Sequence, residues 1–360
     1  MSRSALEIHQ LVHTLSYGDA ISGEVLALQR CFVKAGAASE IYAINIHPRY
    51  KGQARYYTEL RTDFSGEVVF HYSLGSPLND LYRKLTRAKR SLIYHNLTPA
   101  HWFKGVNPRI VMDIENGWRE LPELCDAQVT GRLVADSNYN AGELSRLGFK
   151  ARVLELPLDP ERWSIPANEG IQALLSGEAG IQVLHVGRLA PNKRLEDIIK
   201  VFYFLHHYLD EKSKLWLVGI DTDTELYSFA LKRLAHQLEL EQAVNFVGCM
   251  ADSELKALYQ TSTVYLCMSE HEGFCLPVVE AMYFDLPVIA YACTATSDTV
   301  AEGGILVHEK KYPEIAELIG ELAHNEELRR KIIQAGKRRA ERLSFERFDA
   351  RVRSLWGLEK

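Results

Sequence analysis

The chain has 360 residues, 47% hydrophobic and 25% charged, with a formal net charge of −5. This is the composition of a soluble globular protein of about two domains, and it gives no electrostatic reason to expect a nucleic-acid partner. No apolar run approaches the roughly 20 residues needed to span a bilayer. The opening MSRSALEIHQLVHTL has neither the long apolar core nor the cleavage site of a signal peptide, so a cytoplasmic location is expected. Six cysteines (Cys31, Cys125, Cys249, Cys267, Cys275 and Cys293) are scattered without a C-x-x-C pair, as expected for reduced structural thiols in a cytosolic protein.

In chain order, the first half alternates apolar strands with amphipathic helices. The pattern predicts strands over Glu7–Leu15, Glu40–Ile46, Glu67–Tyr72, Ser91–His95, Leu133–Asp136 and Arg152–Leu156. Helical patterns such as Gly23–Lys34 and Ala141–Leu147 lie between them. Such alternation predicts a parallel, doubly wound sheet, with ligands beyond the carboxyl ends of the strands. Three features fall at such ends. Gly18 and Asp19, in the turn Tyr17–Ala20, allow a close backbone approach to a phosphate; an ordinary loop fits equally well on spacing alone. His95 directly follows a strand and precedes a polar turn, placing it to meet a substrate, whereas His13, His47 and His71 read as structural. Asp136-Ser137-Asn138 reads as a helix cap.

Over Asn79–Ser91, apolar Leu81, Leu85, Ala88 and Leu92 recur at helical spacing. Arg83, Lys84, Arg87 and Arg90 fall mainly off that stripe. This predicts an exposed basic helix face, either simply solvated or resting on anionic lipid at the inner face of a membrane. Pro157 to about Gly180, with three prolines and three glycines, reads as a linker, dividing the chain into domains over 1–160 and 161–344. The second half repeats the alternation, with strands predicted over Gln182–Val186, Lys214–Val218, Val244–Val247, Thr263–Met268, Val288–Tyr291 and Ile305–Val307. Two parallel-sheet domains facing across a cleft is the expected architecture.

The second half carries the more specific chemistry. In VGRLAPNKR, Arg188 and Lys193 follow a strand and supply a forked donor and a flexible point charge, both suited to a diphosphate, although two cations at a strand end are also common as surface charges. In Asp221-Thr222-Asp223 the carboxylates open a helix, where aspartates cap, and no metal site is expected. Cys249 and Met250 follow a strand that ends in a glycine turn. In MSEHEGFCLPVVEAMYFD, an apolar strand passes through a polar turn into a helix at Pro277. Glu272 sits in the turn and Glu280 within the helix. The N–H groups of Phe274, Cys275 and Leu276 point out of the helix start, where an anion is favoured.

EGFCLPVVEAM closely resembles the EGFGLPxxEAM signature of the family-4 retaining glycosyltransferases, whose architecture is GT-B, two Rossmann-like parallel-sheet domains facing across a cleft. VGRLAPNKR resembles that family's VGRLxxxKG segment. Cys275 stands where the family usually has a small residue, often glycine, and Arg194 where glycine is usual. VADSNYNAGELSRLG resembles its SxYNxxEL segment, and NFVGCM its FxGxV segment. YGDAISGEVLAL and YHNLTP resemble the corresponding segments of bacterial GDP-mannose-dependent mannosyltransferases of surface polysaccharide synthesis.

The resemblance implies that Arg188 and Lys193 bind the donor diphosphate and that Glu272 takes the donor sugar hydroxyls, assisted by N–H groups from Gly273 to Leu276. It further implies that Glu280 takes the ribose hydroxyls, that Gly18 and Asp19 approach the donor phosphates or the acceptor, and that Cys249 and Met250 flank the base. His95 would contact the sugar, and the last helix, 345–360, would pack on the first domain. The implied reaction is metal-independent transfer of mannose from GDP-mannose, with retention, to a glycan or lipid-linked glycan acceptor. UDP-glucose, UDP-galactose or GDP-rhamnose as donor, a non-catalytic GT-B scaffold subunit, and a nucleotide-sugar 2-epimerase are the alternatives.

Overall fold

The computed structural model describes residues 6–177 and 179–358. The chain divides into two compact units: one takes in the chain through His101, Pro108–Asp159 and the stretch from Ser344 onward, the other Trp102–Asn107 and Pro160–Leu343.

The first unit is built on seven strands: β1 (Ile8–Leu15), β2 (Ile41–Ile46), β3 (Arg55–Tyr56), β4 (Glu67–Tyr72), β5 (Lys89–Tyr94), β6 (Arg132–Ala135) and β7 (Arg152–Val153). Their order is β3-β2-β1-β4-β5-β6-β7, and every pairing is parallel. β4 is buried along its whole length, as expected of a central strand covered by helices on both faces. One face packs Leu11, Phe70, Tyr72 and Leu92 against the helices Leu78–Lys84 and Pro108–Cys125. On the other, the helix Phe345–Trp356 lays Phe348, Val352 and Trp356 against Ile8, Phe32 and Val69. β3 has no counterpart in the expected strands. It is two exposed residues at the sheet edge, too short to leave an apolar pattern.

The second unit has six parallel strands: β8 (Gln182–Val186), β9 (Lys214–Val218), β10 (Val244–Gly248), β11 (Val264–Cys267), β12 (Val288–Tyr291) and β13 (Ile305–Val307). Their order is β10-β9-β8-β11-β12-β13. The order reverses beside β8, so β8 and β11 are adjacent strands whose following turns diverge from neighbouring points of one sheet edge. Such a switch point is where ligands of open α/β sheets bind.

Two local expectations need correction. The stretch read as a linker contains a helix, Glu169–Gly177, whose start is capped by Asn168 accepting the N–H of Ile171 at 3.0 Å. The basic helix predicted over Asn79–Ser91 stops at Lys84, and Lys89 onward is β5. Parallel pairing of Leu92 with Phe70 and Leu133 outweighs the helical spacing of the leucines.

Backbones approach closely where β8 and β9 end. A Cβ placed on Gly219 would lie 1.9 Å from the carbonyl oxygen of Gly187. Gly219→Ala is therefore expected to destabilise the second unit by about 2–3 kcal/mol, read as a lower urea midpoint for that unit's transition.

Candidate functional site

The turns leaving β8 and β11 are joined by hydrogen bonds. After β8 the chain passes through Gly187–Ala190 into a 3-10 turn, Pro191–Lys193, with proline at its start, where no N–H is needed. Asn192 in this turn donates its side-chain amide to the carbonyl of His271 at 2.9 Å, and its own carbonyl accepts the N–H of Glu270 at 2.9 Å. These two bonds fix the turn after β11 against the turn after β8.

Between them lies a buried ion pair. The Lys193 ammonium donates to both oxygens of Glu272, at 2.7 and 2.9 Å, and the Ser269 hydroxyl donates to one of them at 2.7 Å. Burial alone would raise the carboxyl pKa, but Lys193 and Ser269 outweigh it and hold Glu272 below its usual value. For Lys193 burial favours the neutral amine, and Glu272 outweighs this and raises the pKa. Both groups are charged across the physiological range.

His185 lies beside the pair and carried no signal of its own in the sequence. Its Nδ1–H donates to the carbonyl of Leu266 at 2.9 Å, which leaves Nε2 as an acceptor, and Nε2 has no partner among the described residues. Burial lowers its pKa to about 4, so the ring is neutral.

The helix after the turn runs over Leu276–Tyr283, with Pro277 in its first turn. Among the described residues no acceptor takes the N–H of Gly273, Phe274 or Cys275. The Phe274 carbonyl accepts the Thr299 hydroxyl, and the N–H of Glu272 donates to Thr294 at 2.9 Å, so the turn is held from outside while its donors stay free. Cys275 has φ 78° and Arg194 φ 51°, both left-handed. Glycine accepts such angles without strain, which is the physical reason for glycine at the two positions where the family signature has it. Arg194 is compensated by ion pairs to Glu196 and Asp197, at 2.8 and 3.1 Å.

Glu280, Arg188, Cys249 and Met250, also expected to bind the donor, lie in the second unit. Glu280 is buried, and its oxygens accept Arg162 at 2.7 Å and the Tyr259 hydroxyl at 2.9 Å. Arg188 leaves the same loop as Lys193 but turns to the Thr222 carbonyl at 2.9 Å, so the two cations have different protein partners. The Asp221 carbonyl accepts the N–H of Thr224, which precedes the helix Glu225–Gln237, and Asp223 is left-handed. Cys249 is exposed and Met250 half-buried, directly after β10. Two of the scattered cysteines meet: Cys267 and Cys275 place their sulfurs 3.9 Å apart, close enough with Glu272 to resemble a ligand set, although Lys193 already takes both Glu272 oxygens.

In the first unit Asp19 caps the helix Ala20–Lys34 by accepting the Ser22 N–H at 2.8 Å, and Gly18 precedes it with φ 76°. His95 follows β5, and its side chain is fully buried. It belongs to a chain of contacts that includes His71, expected to be only structural. Gln10 donates its amide to the Val25 carbonyl and presents its oxygen to His71 Nε2 at 2.9 Å. His71 Nε2 therefore carries the proton, and His71 Nδ1 accepts from His95 Nε2 at 2.9 Å. His95 Nδ1 then lies 3.5 Å from a carboxylate oxygen of Glu24 and of Asp136. Burial disfavours its cation, but the two carboxylates outweigh it and raise its pKa. Burial likewise raises Glu24 to about 7.

Arg83, Lys84, Arg87 and Arg90 do not form one helix face. Arg83 is paired with Asp80, Glu120 and Glu123, and Arg90 donates to the carbonyls of Arg83 and Gln128. Among the described residues no helix is long and apolar enough to cross a membrane.

The fold is GT-B. The structure of sucrose-phosphate synthase from Thermosynechococcus elongatus matches with a TM-score of 0.76 over 98% of both chains, at 17% identity. Residues 168–339, which carry the Lys193–Glu272 pair, match the family described as Glycosyl transferases group 1. An uncharacterized glycosyltransferase of Haemophilus influenzae is 31% identical over 150 residues, 41% of this chain and 40% of the relative. The GDP-mannose:cellobiosyl-diphosphopolyprenol alpha-mannosyltransferase of Komagataeibacter xylinus is 29% identical over 128 residues, 35% of this chain and 32% of the relative. Each match thus spans less than half the length of the curated relative.

Two outcomes follow from the buried charges. Lys193→Met leaves Glu272 buried and unpaired and is expected to cost about 3–5 kcal/mol. Adding Glu272→Leu should recover most of that loss in urea unfolding, the signature of a coupled pair. In the first unit, Glu24 and His95 both hold protons more tightly when folded than when unfolded. Their stabilising protons are lost as pH rises, for Glu24 between its ordinary 4.5 and about 7 and for His95 above its ordinary 6.5, so the unit's stability should fall as pH rises from about 4.5 through 7, and Glu24→Gln should flatten that slope.

Proposed function

We propose that this protein is a retaining glycosyltransferase whose second unit holds a nucleotide-sugar donor. The observation that carries the proposal is the buried Lys193–Glu272 pair beside the unpartnered N–H groups of Gly273 to Cys275. An ammonium has three N–H donors, and Glu272 takes two of them. The third, with the free backbone donors at the helix start, suits a phosphate oxygen. The carboxylate keeps acceptor capacity for sugar hydroxyls.

In the reaction proposed, the bond between the anomeric carbon and the β-phosphate oxygen breaks and its electron pair stays on that oxygen. The bond from the acceptor oxygen forms on the same face, and the acceptor's proton passes to the departing phosphate. Charge accumulating on the diphosphate is what fixed donors aimed at it would stabilise, the kind of term often largest in enzyme catalysis.

For the donor we propose GDP-mannose, and for the acceptor a glycan or lipid-linked glycan of surface polysaccharide. The YGDA and YHNLTP resemblance and the name of the Komagataeibacter relative support this choice. Calorimetric titration with GDP, UDP, GDP-mannose and UDP-glucose tests it. The expected result is saturable binding of GDP and GDP-mannose, at least tenfold tighter than the uridine compounds, and weakened at least tenfold by Lys193→Met with Glu272→Leu in the background. Tighter binding of UDP and UDP-glucose would replace the donor, and no binding of any nucleotide would overturn the transferase reading.

A further inference from the structure

Arg162 lies in the segment read from sequence as a linker, and its guanidinium reaches into the second unit. Nη1 donates to Glu280 at 2.7 Å, while Nε and Nη2 lie 2.9 and 2.8 Å from one oxygen of Asp252. Its carbon lies 4.4 Å from the centre of the Trp163 ring. That ring is buried edge-on against Tyr259 and Phe284. Lys256 donates to the carbonyls of Trp163 and Ile165, both at 2.8 Å, and so ties the segment to the helix Asp252–Thr261. The Arg162 side chain is 25% exposed, while those of Glu280 and Asp252 are 5% and 8% exposed.

The Glu280 carboxylate has about four acceptor sites. Arg162 occupies one on Oε1, and the Tyr259 hydroxyl occupies one on Oε2 at 2.9 Å. One site per oxygen is left, the number needed by a pair of neighbouring hydroxyls. A carboxylate in a helix would otherwise rotate about its last torsion. Donors on both oxygens fix its plane.

We propose that Arg162 is a positioning residue that orients Glu280 to accept the two ribose hydroxyls of the bound nucleotide, with Asp252 and Trp163 holding Arg162 in turn. The inference rests on the reading of Glu280 as the ribose ligand. It goes beyond that reading by making ribose recognition depend on a residue from outside the helix that carries Glu280. Arg162 touches no ligand itself. Its effect is confined to the sugar of the nucleotide, not the diphosphate.

The test compares, by calorimetry, the tighter-binding of GDP and UDP with its 2′,3′-dideoxy analogue, using Arg162→Lys, Asp252→Asn and Glu280→Gln. Arg162→Met would take the guanidinium away from two buried carboxylates and is avoided. Arg162→Lys keeps the charge but loses the fork, and Asp252→Asn keeps the shape while releasing one end of the clamp. Urea midpoints confirm that each variant is folded. In the unsubstituted protein the ribose form is expected to bind about 10–100-fold tighter, as two hydrogen bonds to a charged group allow. Arg162→Lys and Asp252→Asn should each cut that ratio at least fivefold while leaving the dideoxy affinity unchanged. If Glu280→Gln collapses the ratio and both clamp variants preserve it, Arg162 is a structural residue only and the proposal fails. Equal binding of the two nucleotides by the unsubstituted protein overturns the ribose reading itself, and the proposal with it. A purely structural role would weaken both nucleotides alike.

Discussion

The buried contact between Lys193 and Glu272 is the constraint around which the second unit's site is arranged. Two opposite charges removed from water form a poor stabilising device, because desolvation consumes most of their attraction. They are nevertheless costly to separate, so each fixes the other. The sheet order makes the contact possible: β8 and β11 are neighbours, and the turns leaving them are stitched through Asn192. The same stitching leaves the helix start after β11 with N–H groups that no acceptor among the described residues takes. An ammonium with one N–H to spare beside these backbone donors is the arrangement on which the proposed anion site rests.

Much of the fold was readable because parallel strands buried on both faces leave continuous apolar runs. β1, β4, β8, β9, β12 and β13 all fall within a residue of the expected bounds. What was not readable was set by contacts distant in sequence. Helical spacing of Leu81, Leu85, Ala88 and Leu92 suggested one long basic helix, yet Leu92 belongs to β5, where its partners are Phe70 and Leu133. No local pattern reports pairing of that kind. The two-residue β3 and the helix Glu169–Gly177 were missed for a simpler reason. One is too short for periodicity, and the other lies among prolines and glycines that read as breakers.

The site was legible in its motif residues and opaque in the residues that hold them. Lys193, Glu272 and the amides after it stand out through position and residue type. His185 does not, because a histidine inside an apolar strand looks like any core residue; only its unpartnered Nε2 beside the ion pair distinguishes it. Arg162 is a lone cation in an apparent linker, separated by 118 positions from the carboxylate it binds. His71 is similar. It reads as a strand residue, yet Gln10 and His71 together decide which nitrogen of His95 carries a proton and so what His95 presents to Glu24 and Asp136. Arg194 and Cys275 both occupy left-handed backbone, and ion pairs to Glu196 and Asp197 hold Arg194 there.

The most direct test of the central claim is a crystal structure of the protein with a bound nucleoside diphosphate. The account predicts a diphosphate oxygen about 3 Å from both the Lys193 ammonium and the N–H of Phe274 or Cys275, with Glu272 still in contact with Lys193. A nucleotide bound elsewhere, with Lys193 unchanged on Glu272 and the backbone donors turned to solvent, would contradict it.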